Sequence, residues 1–191
     1  MLVSDFSNQI WWTKKARIKA EKRLLRMDAI SQSLLLWYSF FLVAYSIITL
    51  VVKVASLTET AIMVALSVLV LLLTLYVNNM RFKERAMLMK QCYEQLGLIY
   101  GAIGSSSDID SLKKEFHSIL SISENHKEID YYRAIDGEYE SASDKSKLSK
   151  HPTEEQKNSI RMSNNGWCVS VLVLILLPFI IVAFIRHYSQ V

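Results

Sequence analysis

Four histidines, two cysteines and one compact polar stretch are the residues whose types could do chemistry in this chain. His117, His126, His151 and His187 could each bind a metal, but none has a second His or Cys three or four residues away, and no HExxH occurs. Cys92 and Cys168 lie on different segments, outside any redox or nucleophile motif, and indicate no disulfide framework. There is no GxSxG elbow. Gly97, Gly101 and Gly104 in GLIYGAIG have no preceding strand and no following Lys-Ser/Thr pair, so they are not a phosphate loop. Asn125, His126 and Asp130 form the most distinctive polar cluster. It can be read as an acid–base site or as a set of structural hydrogen bonds, and a lone His in such company favours the second. The expectation is a protein that is not an enzyme, with no catalytic residue, cofactor or metal.

Hydroxyls are the other recurring chemistry. Ser39 and Ser46 are seven residues apart, with Thr49 next on the same helical face. Gln32 and Lys53 extend that stripe at either end. Thr60, Ser67 and Thr74 repeat at intervals of seven. Two such seams can serve helix–helix contact through small polar residues. They can also line a pore built from several hairpins, where hydroxyls replace part of an ion's water shell.

The elements that carry these seams are apolar runs. Leu34 to Val52 has nineteen residues and no charge. At ~1.5 Å per residue it reaches about 28 Å, close to the ~30 Å hydrocarbon thickness. Thr60 to Val77 and Gly166 to Ile185 are two further runs, the last containing Pro178, which in a membrane helix gives a kink with its freed carbonyl taken up by a neighbour. The link Lys53 to Glu59 is short enough to join only antiparallel neighbours. None of the three runs contains an ionised residue, which argues against a proton relay or charge-coupled transporter.

The 22 Lys and Arg residues are unevenly placed. Seven precede the first run, Lys53 alone lies in the first link, and thirteen fall between Arg81 and Arg161. The positive-inside rule then puts the N-terminus and the central region in the cytoplasm and the residues from Arg186 outside. The basic run Lys14 to Arg26 could bind nucleic acid or anionic lipid, but it reads first as an orientation signal, which argues against direct nucleic-acid binding. No cleaved signal peptide is evident, because the first apolar run begins late and is too long.

Between the spans the pattern is helical. Asn8 to Ser33 reads as one helix leading into the first span. The helix after the second span is expected to continue without a break, and Phe82, Ala86, Met89, Tyr93, Leu96 and Tyr100 form a heptad seam along it. A helix should end in a turn within GLIYGAIG, with Ser105 to Ser107 as loop. Asp108 or Ser111 then caps a helix with Ile109, Leu112, Phe116 and Ile119 or Leu120 on one face. The fold class is an all-α membrane protein: a long transmembrane helical hairpin with cytoplasmic helical extensions and a third, C-terminal transmembrane helix. The segments are 1–33 (basic N-terminal helix), 34–80 (hairpin), 81–136 (cytoplasmic helical region), 137–165 (polar linker) and 166–186 (third span).

The segment ARIKAEKRLLRMDAISQSLLLWYSFFLVAYSIITL, Ala16 to Leu50, resembles the SLATT proteins, the SMODS and SLOG-associating two-transmembrane effectors. RFKERAMLMKQCYEQLGLIY and ENHKEIDYYRA, Glu124 to Ala134, are similar to family elements in order and spacing. The resemblance covers about Trp11 to Ile135, and the third span suggests the subgroup found beside reverse transcriptases. It implies a bacterial inner-membrane effector of anti-phage defence. Such an effector forms a pore or disrupts the membrane, with growth arrest or cell death, when a separately encoded sensor signals. That sensor would be a reverse transcriptase or a nucleotide-signalling protein. The implied partners are the lipid bilayer, further copies of the chain and that sensor. The alternative is a non-conducting membrane scaffold that anchors a cytosolic partner.

Overall fold

The computed structural model describes residues 3–52, 57–103 and 108–189, and among them it is helical without any strand. The helices are α1 (Val3–Val52), α2 (Leu57–Asn79), α3 (Phe82–Ala102), α4 (Ile109–Leu120), α5 (Glu128–Ser141) and α6 (Glu154–Ser189), with a 3₁₀ turn at Lys145–Lys147. Residues 53–56 of the first link, and Gly104 with the expected loop Ser105 to Ser107, lie outside the described residues, while α3 ends at Ala102, within GLIYGAIG.

Two expectations change. The helix after the second span does not run on: α2 stops at Asn79, and Arg81 adopts a left-handed φ of 48° before α3 begins. That conformation costs a non-glycine residue ~1–2 kcal/mol. It is set where Asn78 and Asn79, weak helix formers, end the apolar run, and where the Arg81 amide bonds back to the Asn78 carbonyl at 3.3 Å. The polar stretch 137–165 is also more ordered than a linker, since α5 continues to Ser141 and α6 begins at Glu154 and carries straight into the third apolar run. Thr153 and Gln156 cap that start reciprocally, at 3.1 and 3.2 Å.

The chain divides into two compact units, residues 1–27 with 82–164 and residues 28–81 with 165–191. In the first, charged unit, Phe6 and Ile10 of α1, Cys92, Leu96 and Ile99 of α3, and Leu112, Phe116 and Ile119 of α4 form one buried cluster. Phe6 and Phe116 meet edge to face at 5.7 Å. Ala16 and Ala20 are fully buried, and their small size lets α1 pack closely. Along α3, Phe82, Ala86, Met89 and Leu96 of the heptad set are buried, Tyr93 is half-buried and Tyr100 is exposed against Trp11. Burial and a bond to Glu21 push the Tyr93 phenol up to about 12. Gly97 and Gly101 lie within α3, and the bare Gly97 leaves room for the Lys14 ammonium.

The basic run of α1 supplies the polar interior of this unit. Arg17 is 2% exposed and donates to Ser123 Oγ, to the Leu120 carbonyl at 3.3 Å and to the Glu124 carbonyl at 3.5 Å. It thereby caps the C-terminal end of α4, where a cation is favoured. Burial lowers its pKa from the ordinary arginine value. Arg23 grips Asp130 with Nε at 2.9 and 3.1 Å and Nη2 at 3.0 Å. Asp130 also accepts from the Lys127 amide at 3.1 Å, closing the first turn of α5. Asp130 therefore belongs to a structural ion pair. His126 of the same cluster rests on Tyr131 at 6.1 Å, and burial and Arg17 lower its pKa.

In the second, membrane unit the halves of α1 and α6 beyond the boundary pack with α2. Three described helices have the length and composition to cross a bilayer. Their outward faces are apolar, as Leu36, Phe40, Val43 and Ile47 of α1 illustrate. Tyr38 donates to the Leu174 carbonyl at 2.7 Å. Leu174 is the residue whose carbonyl Pro178, four positions on, cannot bond. Trp37 donates to the neighbouring Ile175 carbonyl at 3.1 Å, and Phe41 packs edge-on against Phe179 at 5.2 Å.

Candidate functional site

The polar groups of the membrane unit gather where α1 ends and α2 begins. Glu59 stands in the first turn of α2, one residue before the apolar run, and is only 5% exposed. Tyr45, seven residues inside the first run, donates its hydroxyl to the Glu59 carboxylate. Arg186, in the last turn of α6, is exposed and lies within electrostatic reach of the same phenol. The hydroxyl thus ties the end of α1 to the start of α2 through the acid. A carboxylate removed from water needs such company, because an unpaired one is far more costly.

Beside this cluster α1 and α2 leave an open groove of about 710 Å³. Ser46 and Thr49 enter it from α1, Thr60 and Ser67 from α2, together with Tyr45 and Glu59. Four of the six seam hydroxyls therefore share one wall. Ser39 and Thr74 do not line the groove. Thr49, Ser67 and Thr74 bond to the carbonyls of Ser46, Val64 and Val70 at 3.0, 2.7 and 2.8 Å, within their own helices. Such a hydroxyl has given its hydrogen but keeps both lone pairs and can still meet a ligand. At the other end of the hairpin Gln32 donates to Asn78 at 3.4 Å. A second space of about 160 Å³, next to Pro178, is lined almost wholly by apolar side chains such as Phe41, Leu66 and Leu177.

Reading the sequence by apolar runs alone misses Glu59 and Arg186, since each stands one residue beyond a run and counts as a flank. The signal was their shared level: in an up-down-up bundle the start of the second span and the end of the third lie at one end. Tyr45 adds the reach that draws Glu59 into the bundle, while Arg186 stays exposed.

The family model for the SMODS and SLOG-associating 2TM effector domain, family 5, matches residues 3–184. The chain belongs to this SLATT family. The match reaches residue 184, within α6, so among its described residues this SLATT chain carries three helices of spanning length where the family description counts two. That description names SMODS and SLOG association and no reverse transcriptase. No curated protein and no solved structure matches the chain.

Proposed function

We propose that this SLATT chain is an effector of bacterial anti-phage defence that assembles in the inner membrane and opens an ion-conducting path on a signal from a separately encoded sensor. The charged unit lies in the cytoplasm, following the clustering of Lys and Arg before the first span and between the second and third. There it receives the sensor, a nucleotide-signalling protein or a reverse transcriptase. No enzymatic step is assigned to the chain. The observation that carries the reading is the convergence of Ser46, Thr49, Thr60 and Ser67 on one groove beside the buried Glu59. Hydroxyls that keep a groove wet are of use to a conducting assembly, whereas a groove meant only for lipid gains nothing from them. Several hairpins side by side, each turning this groove inwards, would enclose the path. Depolarisation would then halt growth of the infected cell.

The test is expression of Ser46→Leu and Ser67→Leu with the activating neighbour, following membrane potential, growth and crosslinked oligomers. Leucine favours insertion and narrows and dries the groove. Depolarisation should be lost while insertion and oligomer remain. Undiminished depolarisation by both variants would remove the groove from the conducting path. If instead the activated wild-type chain arrests growth with membrane potential intact, the non-conducting scaffold is the correct reading.

A further inference from the structure

We propose that Arg133 of α5, together with Arg26 of α1, binds the phosphate of an anionic phospholipid at the edge of the bilayer. Such a site holds whether or not the chain conducts. Arg133 is half-buried, and its Nη2 donates to Ser163 Oγ at 3.2 Å and to Asn164 Oδ1 at 2.8 Å. Along α6, Asn164 stands two residues before Gly166, where the third apolar run begins. That is a rise of ~3 Å, inside a headgroup layer roughly 5–7 Å deep. The guanidinium is therefore held at headgroup level. An orientation signal does not account for it, because such signals count bases within ~15–20 residues of a span and Arg133 lies well outside that window. The packing of α5 on α6 brings it there.

The charge at this point is poorly matched. Ser163 and Asn164 are neutral acceptors. Two acids of α5 that meet α1 are engaged, Asp130 by three bonds from Arg23 and Glu138 by Lys15 at 2.8 Å. Arg26 follows Arg23 by one turn of α1, on the side of the first span, and is exposed. Burial lowers the Arg133 pKa, Asp130 opposes this, and Arg26 and Arg23 lower it further. Three guanidiniums thus share one carboxylate, and a further anion relieves them. A lipid phosphate fits what is left. The bonds that Arg133 makes among the described residues use Nη2, which leaves Nε and Nη1 to donate to phosphate oxygens. The long side chain of Arg26 can snorkel to the same layer. Bases gathered beside membrane helices are the setting in which anionic headgroups bind. Lipid rather than solvent is the source of the phosphate, because along α6 the exposed Val169, Leu172 and Val173 follow, against which acyl chains lie in a bilayer.

The experiment is binding of pyrene-tailed phosphatidylglycerol, and of the matching phosphatidylcholine whose own cation balances its phosphate, to the full chain in neutral detergent. Wild type should hold phosphatidylglycerol the more tightly. Arg133→Gln and Arg26→Gln should each weaken it about fivefold, equivalent to ~1 kcal/mol, and leave phosphatidylcholine unchanged. Arg161→Gln removes an exposed base that stands on α6 itself, a few residues before the third run, and should change neither lipid. Equal affinity of wild type for the two lipids overturns the inference. An equal loss in Arg161→Gln also overturns it, since that would reveal a general basic flank. If inorganic phosphate displaces the labelled lipid at the concentration at which unlabelled phosphatidylglycerol does, lipid is not the ligand and the inference fails. Should Arg133→Gln not fold, the exposed Arg26→Gln decides alone, and its unchanged affinity is refutation. None of these results bears on conduction, so the pore reading stands or falls separately.

Discussion

Removing the Tyr38 hydroxyl isolates one interaction that holds the third span to the hairpin. Pro178 has no amide hydrogen, so the Leu174 carbonyl loses its normal helical partner, and Tyr38 supplies a donor at 2.7 Å. A net hydrogen bond is worth ~1 kcal/mol, and side-chain bonds between membrane helices average ~0.6 with a ceiling near ~1.7 kcal/mol. Tyr38→Phe keeps the ring and deletes only the donor, so it should cost about 1 kcal/mol. Pro178→Ala restores an amide at the position that completes the helical bond to Leu174. In that background Tyr38→Phe should cost no more than about 0.3 kcal/mol, a coupling clearly above the error of additive pairs. The assay is reversible unfolding of the full chain in mixed micelles, comparing the four proteins of the cycle. The two substitutions must be non-additive in the direction stated. An equal cost of Tyr38→Phe in both backgrounds would show that the tyrosine acts through packing alone, and the account of the kink would fail.

Asp130→Ala should destabilise the charged unit by about 3–5 kcal/mol, because Arg23 is left part-buried without its partner; chemical denaturation followed by Trp12 fluorescence reads it. Arg23→Lys keeps the charge but loses the forked geometry and should recover only part of that stability. Phe116→Ala empties the centre of the α1–α3–α4 cluster and should cost about 3–5 kcal/mol in the same assay. His126 has a pKa below the ordinary 6.5, from burial first and then Arg17, with Asp130 opposing. The unfolded chain therefore binds this proton more readily than the folded one, so its contribution is constant above the unfolded pKa and is lost as pH falls below about 6.5. His126→Asn should flatten that part of the stability–pH curve; an unchanged slope would mean that another group titrates there.

The bilayer makes some of this chain easy to read and the rest hard. Each apolar run is a local signal, because crossing hydrocarbon demands a continuous stretch whatever its partners are, and the structure places a spanning helix over each. The donor for the carbonyl freed by Pro178 was foreseeable in kind, but Tyr38 as its source depends on a contact 136 residues away in sequence. The charged unit fails in the same way. Arg17 and Arg23 stand in a run of basic residues that reads as a topological flank, and only a partner 107 residues on, Asp130, distinguishes a core ion pair from an orientation signal. Along α3 a heptad template assumes one packing partner. The helix has two, and its contact with α4 brings Cys92 and Ile99 into the core beside Leu96. The Cys92 thiol donates to the Ile119 carbonyl at 3.4 Å, a bond that no spacing rule on α3 alone could reveal. Glu59 combines both difficulties, since it looks like a membrane flank until the fold sets it on Tyr45. Charge at the edge of an apolar run thus has two fates. It stays in water and orients the chain, or it is drawn in by a partner on another helix, as Tyr45 draws in Glu59.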